Sequence, residues 1–266
     1  MKKLGIGVTY LVFLLVLIIP LVKLFLGAGD MGWSGFQEAL IRPDAVHAML
    51  VSVLIVTLVI VLNTVFGVLL SLQLIRGRLK PWLQRLINSL VDLPFAVSPV
   101  IGGLMILLLL GPQSVIGSFF ETLDVKLVFA IPGMVIATLF VTFPLMVREV
   151  VPVLQEIGTA QEEAAFTLGA DGWTTFWRVT WPSIRWGVLY GVVLTLARAL
   201  GEFGAVLVVS GNIINKTQTA TTFVYQEVEN FHFVAANSVA LVLAAVSIVV
   251  LLLLEWAKKR REGMSA

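Results

Sequence analysis

Six runs of about 20 or more mostly apolar residues dominate this sequence of 266 residues. An α-helix rises about 1.5 Å per residue, so about 20 residues cross the ~30 Å hydrocarbon core of a bilayer. In lipid each segment must pair its own backbone N–H and C=O groups, which favours helices. We therefore predict an all-α integral membrane protein, with six transmembrane helices near 4–26, 48–75, 86–111, 128–148, 184–209 and 233–256.

The composition excludes most soluble functions. Only 13% of the residues are charged, against roughly 25% in soluble domains, and the mean hydropathy is +1.00. There is no cysteine, which excludes disulfides, thiolate metal sites and thiol catalysis. A formal net charge of +2 is too small to indicate nucleic acid. The bilayer is therefore the expected surrounding of the chain.

Lysine and arginine are distributed asymmetrically between the loops. Thirteen of the 18 lie at the two termini and in the loops after the second and fourth runs, and three lie in the other loops. The positive-inside rule then predicts that both termini are cytoplasmic. The first run is longer than a signal-peptide core, so we interpret it as a retained helix.

Three regions follow from this assignment. Residues 1–47 hold the first transmembrane helix and an outer segment in which Trp33, Phe36 and Leu40 recur at helical spacing, typical of an interfacial helix. Residues 48–256 form the core membrane domain, which contains the long cytoplasmic segment 149–183. Residues 257–266 form a basic cytoplasmic tail.

The segment 149–183 carries signals for a short helix with defined ends. Thr159 and Glu162 have the spacing of a capping box, so the helix is expected to start at Thr159. Gly169 is placed to end it, because glycine accepts the left-handed conformation. Asp171 can cap a second short helix, and Pro182 is expected to open the fifth span. A small-faced exposed helix suits docking into another protein, although it could also rest on the membrane surface.

The same segment resembles the EAA loop of ABC importer permeases. Glu163-Ala164-Ala165, the glycine four residues later and Val179-Thr180-Trp181-Pro182 match that pattern and its spacings, with Val179 and Trp181 as departures from isoleucine and leucine. The resemblance implies a type I ABC importer permease fold. It also implies a coupling helix that sits in a cleft of a separate ATPase. The residues that the resemblance assigns to this contact are Glu163, Ala164, Ala165, Phe166, Leu168, Gly169 and Ala170.

The chain lacks a phosphate-binding loop of its own. None of the eight lysines follows a glycine, so Gly-Lys-Ser/Thr does not occur. We therefore expect no cofactor in this chain and no enzymatic activity of its own. ATP and Mg²⁺ would be bound by a partner, and the resemblance implies that this partner is a pair of identical ATPase subunits.

Arg198 and Glu202 lie four residues apart within the predicted fifth span. A charge near the bilayer centre costs about 3 kcal/mol on insertion scales, so such residues face a partner or a watery path. Thr195 shares their helix and, with Gly187 and Gly191, forms a small polar stripe. These residues are candidates for the translocation path, and a structural ion pair is the alternative for Arg198 and Glu202.

Two further segments resemble sulfate/thiosulfate importers, specifically their W-type permease subunit. They are Asp92-Leu93-Pro94-Phe95-Ala96-Val97-Ser98-Pro99 and the run Ala197–Val206. The residues alone suggest that Asp92 caps the helix that follows it. The resemblance implies a second, T-type permease, an extracytoplasmic sulfate-binding protein and the cytoplasmic membrane of a prokaryote.

Three alternatives stay open at this point. The first is a molybdate or tungstate permease, which shares part of the second segment. The second is a secondary transporter, a class that often shows internal repeats and midplane ionisable clusters, whereas this sequence has no evident repeat and one buried pair. The third, an intramembrane enzyme, lacks any nucleophile–base or metal constellation.

Overall fold

The computed structural model describes residues 2–77 and 79–265, and within them all regular structure is helical. Two π-helical segments, Leu14–Ile18 and Phe176–Thr180, interrupt otherwise α-helical stretches. The α-helices in chain order are α1 Lys2–Phe13, α2 Ile19–Ala28, α3 Gly32–Ile41, α4 Pro43–Arg76, α5 Pro81–Ala96, α6 Pro99–Leu110, α7 Val115–Thr122, α8 Ile131–Ile157, α9 Ala160–Thr167, α10 Gly172–Thr175, α11 Trp181–Leu200, α12 Gly204–Ser210, α13 Ala220–Glu229 and α14 Phe233–Ser265.

Five of the described helical stretches are long and apolar enough to cross a bilayer, and a bent pair provides a sixth. This confirms the predicted all-α membrane architecture. The five are Thr9–Ala28, Pro43–Arg76, Ile131–Ile157, Gly172–Leu200 and Phe233–Glu255. The backbone of α14 continues helically into the basic tail predicted at 257–266, but the side chains of that tail lie outside the described residues.

The predicted third span is a broken helix rather than a single one. Helices α5 and α6 are bent by 117° at the break between them. Ser98 precedes Pro99 and is extended, with ψ 138°, because the proline ring disfavours a helical conformation at the preceding residue. Asp92 lies inside α5 and is therefore not a helix N-cap. That prediction was wrong, because the helix break falls after Pro94 rather than before it.

The predicted fifth span, 184–209, is also divided. Helix α11 ends at Leu200 and α12 begins at Gly204, so Glu202 lies in the break between them. The helical stretch begins upstream at Gly172 and passes through the second π-helical segment. Pro182 lies in the first turn of α11, as predicted, although the apolar helical stretch already begins at Gly172.

The chain divides into two compact units, and the larger comprises Val53–Gly211 with the residues from Val249 onwards. Its core packs α6, α8 and α12 around Ile106, Ala137 and Val209. Glycine allows the two broken helices to approach closely: a Cβ on Gly103 would lie 2.6 Å from the carbonyl oxygen of Ala205. The two broken helices are thus in direct contact.

Replacing Gly103 by alanine is expected to destabilise this contact. The clash is with backbone, which cannot move aside cheaply, so the cost is about 1–3 kcal/mol. Thermal unfolding of the purified protein in detergent should show a midpoint lowered by several degrees. Gly7→Ala is the matched control, because a Cβ there meets nothing within 4 Å. Equal midpoints for the two variants would contradict the close contact.

The smaller unit contains the first three helices, the start of α4 and Asn212–Ile248. The helix predicted in this segment is present as α3, and the rings of Trp33 and Phe36 stack with centroids 5.3 Å apart. Its core includes Ala45, Phe223 and Val239. Arg42 pairs with the buried carboxylate of Glu227 at 2.7 Å, which ties the start of α4 to α13.

Candidate functional site

Helix α9 is short and exposed, as the sequence indicated. None of its residues is buried. Phe166 is 52% exposed, and Leu168, just past the helix end, is 89% exposed. Glu163, Ala164 and Gly169 are also exposed, whereas Ala165 and Ala170 are half-buried. Large apolar side chains beside a carboxylate at this exposure are typical of a surface that another protein covers.

Gly169 ends α9 as predicted. Its φ is +87°, a conformation that glycine adopts without steric cost. The N–H of Gly169 donates to the carbonyl of Phe166 and the N–H of Ala170 donates to that of Ala165, both at 3.0 Å. This is the paired hydrogen-bond pattern of a Schellman motif. The carbonyl groups of Ala165 and Phe166 in the last turn of α9 are therefore hydrogen-bonded within the chain itself.

The beginning of α9 differs from the predicted capping box. Helix α9 starts at Ala160, but the Thr159 side chain makes no hydrogen bond to the helix backbone. Its hydroxyl instead donates to the carboxylate of Glu163 at 2.6 Å. Glu162 cannot complete the box, because it pairs with Arg76 at 2.9 Å and accepts a hydrogen bond from Thr180 at 2.8 Å. The capping-box prediction was wrong, since these tertiary contacts outcompete the local one.

Asp171 caps the next helix, as predicted. Its carboxylate accepts the N–H of Thr174 at 2.9 Å, and hydrogen bonding to Thr174 lowers the pKa of Asp171 below its ordinary value. The carboxylate is therefore ionised at neutral pH and suited to a helix N-terminus. Beyond it, the rings of Trp173, Trp177 and Trp181 follow one another along one helical face, with successive centroids 5.7 and 5.8 Å apart.

Arg198 and Glu202 form the predicted ion pair, with Nη1 and Oε2 2.7 Å apart. The arginine side chain is 38% exposed and the carboxylate side chain 1% exposed. The second carboxylate oxygen of Glu202 accepts the N–H of Ala205 at 3.0 Å. The pair therefore joins the end of α11 to the start of α12. Its guanidinium is the exposed member of the pair, and its carboxylate is the buried one.

Thr195 lies in the interior of the larger unit. It is fully buried, and its hydroxyl accepts a hydrogen bond from Asn63 at 3.0 Å, while Asn63 also donates to the carbonyl of Thr142 at 3.1 Å. The neighbouring glycines face α8: a Cβ on Gly191 would lie 2.6 Å from the sulfur of Met146. The small polar stripe of α11 therefore packs against α4 and α8. Asn63 on α4, which hydrogen-bonds to Thr195, is a partner that the sequence reasoning missed.

Asp92 and Arg148 form a second ion pair between α5 and α8. Arg148 Nε donates to Asp92 Oδ1 at 2.9 Å, and Nη2 contacts the other oxygen. Both side chains keep substantial exposure, 40% and 46%. Within residues 2–77 and 79–265, no group of three or more His, Asp or Glu is placed to hold a metal ion.

The fold and these sites define a class: a multi-pass membrane permease of an ABC importer, with an exposed short helix between its fourth and fifth spans. A family model described as "Binding-protein-dependent transport system inner membrane component" matches residues 63–262, and the chain belongs to that family. Membership makes it a membrane component rather than the subunit that hydrolyses ATP.

Within the family the chain belongs with the CysW-type permeases. It is 47% identical over 97% of its length to the sulfate transport system permease protein CysW of Synechocystis sp., covering 93% of that protein. It is 40% identical over 97% of its length to CysW of Escherichia coli K12, covering 89%. The sulfate transport system permease protein CysT of Escherichia coli K12 is 34% identical over 93% of this chain, with 89% of its own length covered.

Two solved structures confirm the fold. A bacterial ABC transporter involved in the import of alginate matches with a TM-score of 0.80, covering 97% of this chain and 95% of that chain at 17% identity. The alginate transporter in complex with a pentasaccharide-bound periplasmic protein matches with a TM-score of 0.78, covering 97% and 94% at 16% identity. At these identities the likeness concerns the fold alone.

Proposed function

We propose that this chain is a membrane-spanning subunit of an ATP-driven sulfate/thiosulfate importer. The similarity to CysW over 97% of the chain carries this proposal, since it is higher than the similarity to CysT and includes the segments around both helix breaks. Both termini would lie in the cytoplasm, and the membrane would be the cytoplasmic membrane of a prokaryote.

The chain would work in a larger assembly. Since the curated relatives include both CysW and CysT proteins, a pair of similar permeases would enclose the path. Two identical ATPase subunits would bind ATP and Mg²⁺ and receive α9. An extracytoplasmic binding protein would deliver the anion, an arrangement favoured by the fold neighbour that was solved with a periplasmic protein.

The exposed surface of α9 supports the ATPase contact. Glu163 offers a carboxylate, and Phe166 and Leu168 offer apolar area on a helix whose ends are fixed. Closure of the ATPases would displace α9. The helix breaks after Ala96 and after Leu200 would let the connected spans change direction, since broken helices are tolerated in membranes where they are buried or line a cavity.

Arg198 would favour an anion along the path. Its guanidinium is part-exposed while its partner Glu202 is buried, so the positive group is the one presented. Glu202 would then position Arg198. Thr195 would stabilise α11 through its buried hydrogen bond with Asn63. Sulfate recognition would reside mainly in the binding protein.

Uptake of labelled sulfate tests the substrate. Cells that lack this chain should lose uptake, and restoring the chain should recover it. Excess unlabelled thiosulfate should compete, whereas equimolar molybdate should leave sulfate uptake nearly unchanged. Normal sulfate uptake in the deletion strain, together with lost molybdate uptake, would favour the molybdate alternative and overturn this assignment.

A further inference from the structure

Arg76, the last residue of α4, is in contact with two separate parts of the larger unit. Its Nε lies 2.9 Å from Oε2 of Glu162 on α9. Its Nη2 donates to the carbonyl of Gly158 at 2.5 Å and to that of Leu154 at 3.3 Å, both at the end of α8. One guanidinium at the end of α4 therefore contacts both the end of α8 and the short helix α9 that follows it.

Glu162 extends this link to a third span. Its other carboxylate oxygen accepts the hydroxyl of Thr180, which is buried and lies immediately before α11. The carboxylate is thus held from both sides, by Arg76 and by Thr180. Because the planar guanidinium donates in fixed directions, it orients the groups it binds more strictly than a lysine would.

Helix α9 is held by few apolar contacts. No residue of α9 is buried, so hydrophobic packing contributes little to holding it. The side chains of Arg76 and Glu162, by contrast, are only 18% and 14% exposed. An ion pair this shielded is screened less by water and salt than an exposed pair, so it contributes more to holding α9. This ion pair is therefore a main tie between α9 and the end of α4.

We propose that Arg76 and Glu162 are positioning residues that transmit the displacement of α9 to the membrane spans. This inference rests on the proposed function, in which α9 docks on an ATPase. The docking surface is the exposed side of α9, which includes Glu163, together with Leu168 just past the helix end. Arg76 binds Glu162 and is therefore not part of that surface. Loss of the pair should therefore spare docking and ATP hydrolysis but reduce the number of anions moved per ATP.

The test uses the purified complete complex in proteoliposomes. The binding protein and labelled sulfate are both added to the assay. Sulfate uptake and phosphate release are measured on the same vesicles. For Arg76→Gln we expect an unchanged amount of bound ATPase and an uptake-to-hydrolysis ratio lower by about tenfold, the size expected for one charge-assisted hydrogen-bond partner. Arg76→Lys should give an intermediate ratio. Arg178→Gln, which replaces an exposed arginine in the π-helical segment before α11, should leave the ratio unchanged.

A double-mutant cycle separates a joint role from two independent ones. If Arg76 acts through Glu162, Arg76→Gln/Glu162→Gln should be no worse than the more affected single variant. A wild-type ratio for both Arg76→Gln and Arg76→Lys would overturn the proposal, and so would effects that multiply in the double variant. Wild-type vesicles that hydrolyse ATP without taking up sulfate would instead overturn the proposed function.

Discussion

Replacing Glu163 by lysine or Gly169 by proline is expected to abolish sulfate uptake and to release the ATPase from the complex. The lysine reverses a charge at the centre of the exposed α9 surface. The proline cannot adopt the φ of +87° that Gly169 has, because its ring fixes φ near −65°. It would also remove the N–H that closes the last turn onto Phe166. Both changes should act on docking while the membrane spans remain folded.

Co-purification of the ATPase with an affinity-tagged chain measures this directly. Two matched controls separate docking from general damage. Glu156→Lys introduces the same charge on an exposed position at the end of α8, and Gly172→Pro places proline in the first turn of α10, where it is tolerated. Both controls should retain uptake and bound ATPase. Full retention of ATPase by Glu163→Lys and Gly169→Pro would contradict the docking role of α9.

Neutralising Arg198 is expected to lower sulfate uptake by at least about tenfold. Glu202, which is 1% exposed, would lose its arginine partner. Removing one member of a fully buried pair costs about 3–5 kcal/mol, and the cost here is smaller because Arg198 is 38% exposed. The path would lose its positive group at the same time, so Arg198→Gln alone cannot separate a structural role from attraction of the anion.

The double variant Arg198→Gln/Glu202→Gln makes that separation. Glutamine at 202 keeps an oxygen for the N–H of Ala205 and leaves no unpaired charge. If Arg198 serves only to neutralise Glu202, the double variant should regain uptake. If Arg198 attracts the anion, uptake should stay low, whereas Arg198→Lys should keep part of it. Recovery in the double variant would remove Arg198 from the translocation path.

Local signals predicted the end of α9 at Gly169 and the start of α10 at Asp171. Gly169 and Asp171 act through their own backbone conformation or through the next turn, so a single stretch of sequence contains the whole cause. The same reasoning explains why the i, i+4 pair of Arg198 and Glu202 was found. The apolar runs predicted the spans because the bilayer fixes both their length and their composition.

Contacts between distant residues could not be predicted in this way. The Thr159–Glu162 spacing suggested a capping box, yet Glu162 binds Arg76, a residue of the second span. Asp92 has the sequence context of an N-cap, but it pairs with Arg148 of α8. The close approach of Gly103 on α6 to Ala205 on α12 also joins residues far apart in the sequence. In each case tertiary packing decided between local options that the sequence left nearly equal.

A cross-link from Leu168 tests the central claim most directly, namely that α9 is seated in a separate ATPase. The chain has no cysteine, so Leu168→Cys introduces a single thiol at a position that is 89% exposed. Val115→Cys, at 88% exposure on α7, is the matched control. With a short thiol-to-amine reagent on the intact complex, we expect Leu168→Cys to form a covalent adduct with the ATPase subunit and Val115→Cys to form none. An intact complex in which Leu168→Cys gives no adduct, or in which both positions react equally, would contradict the account.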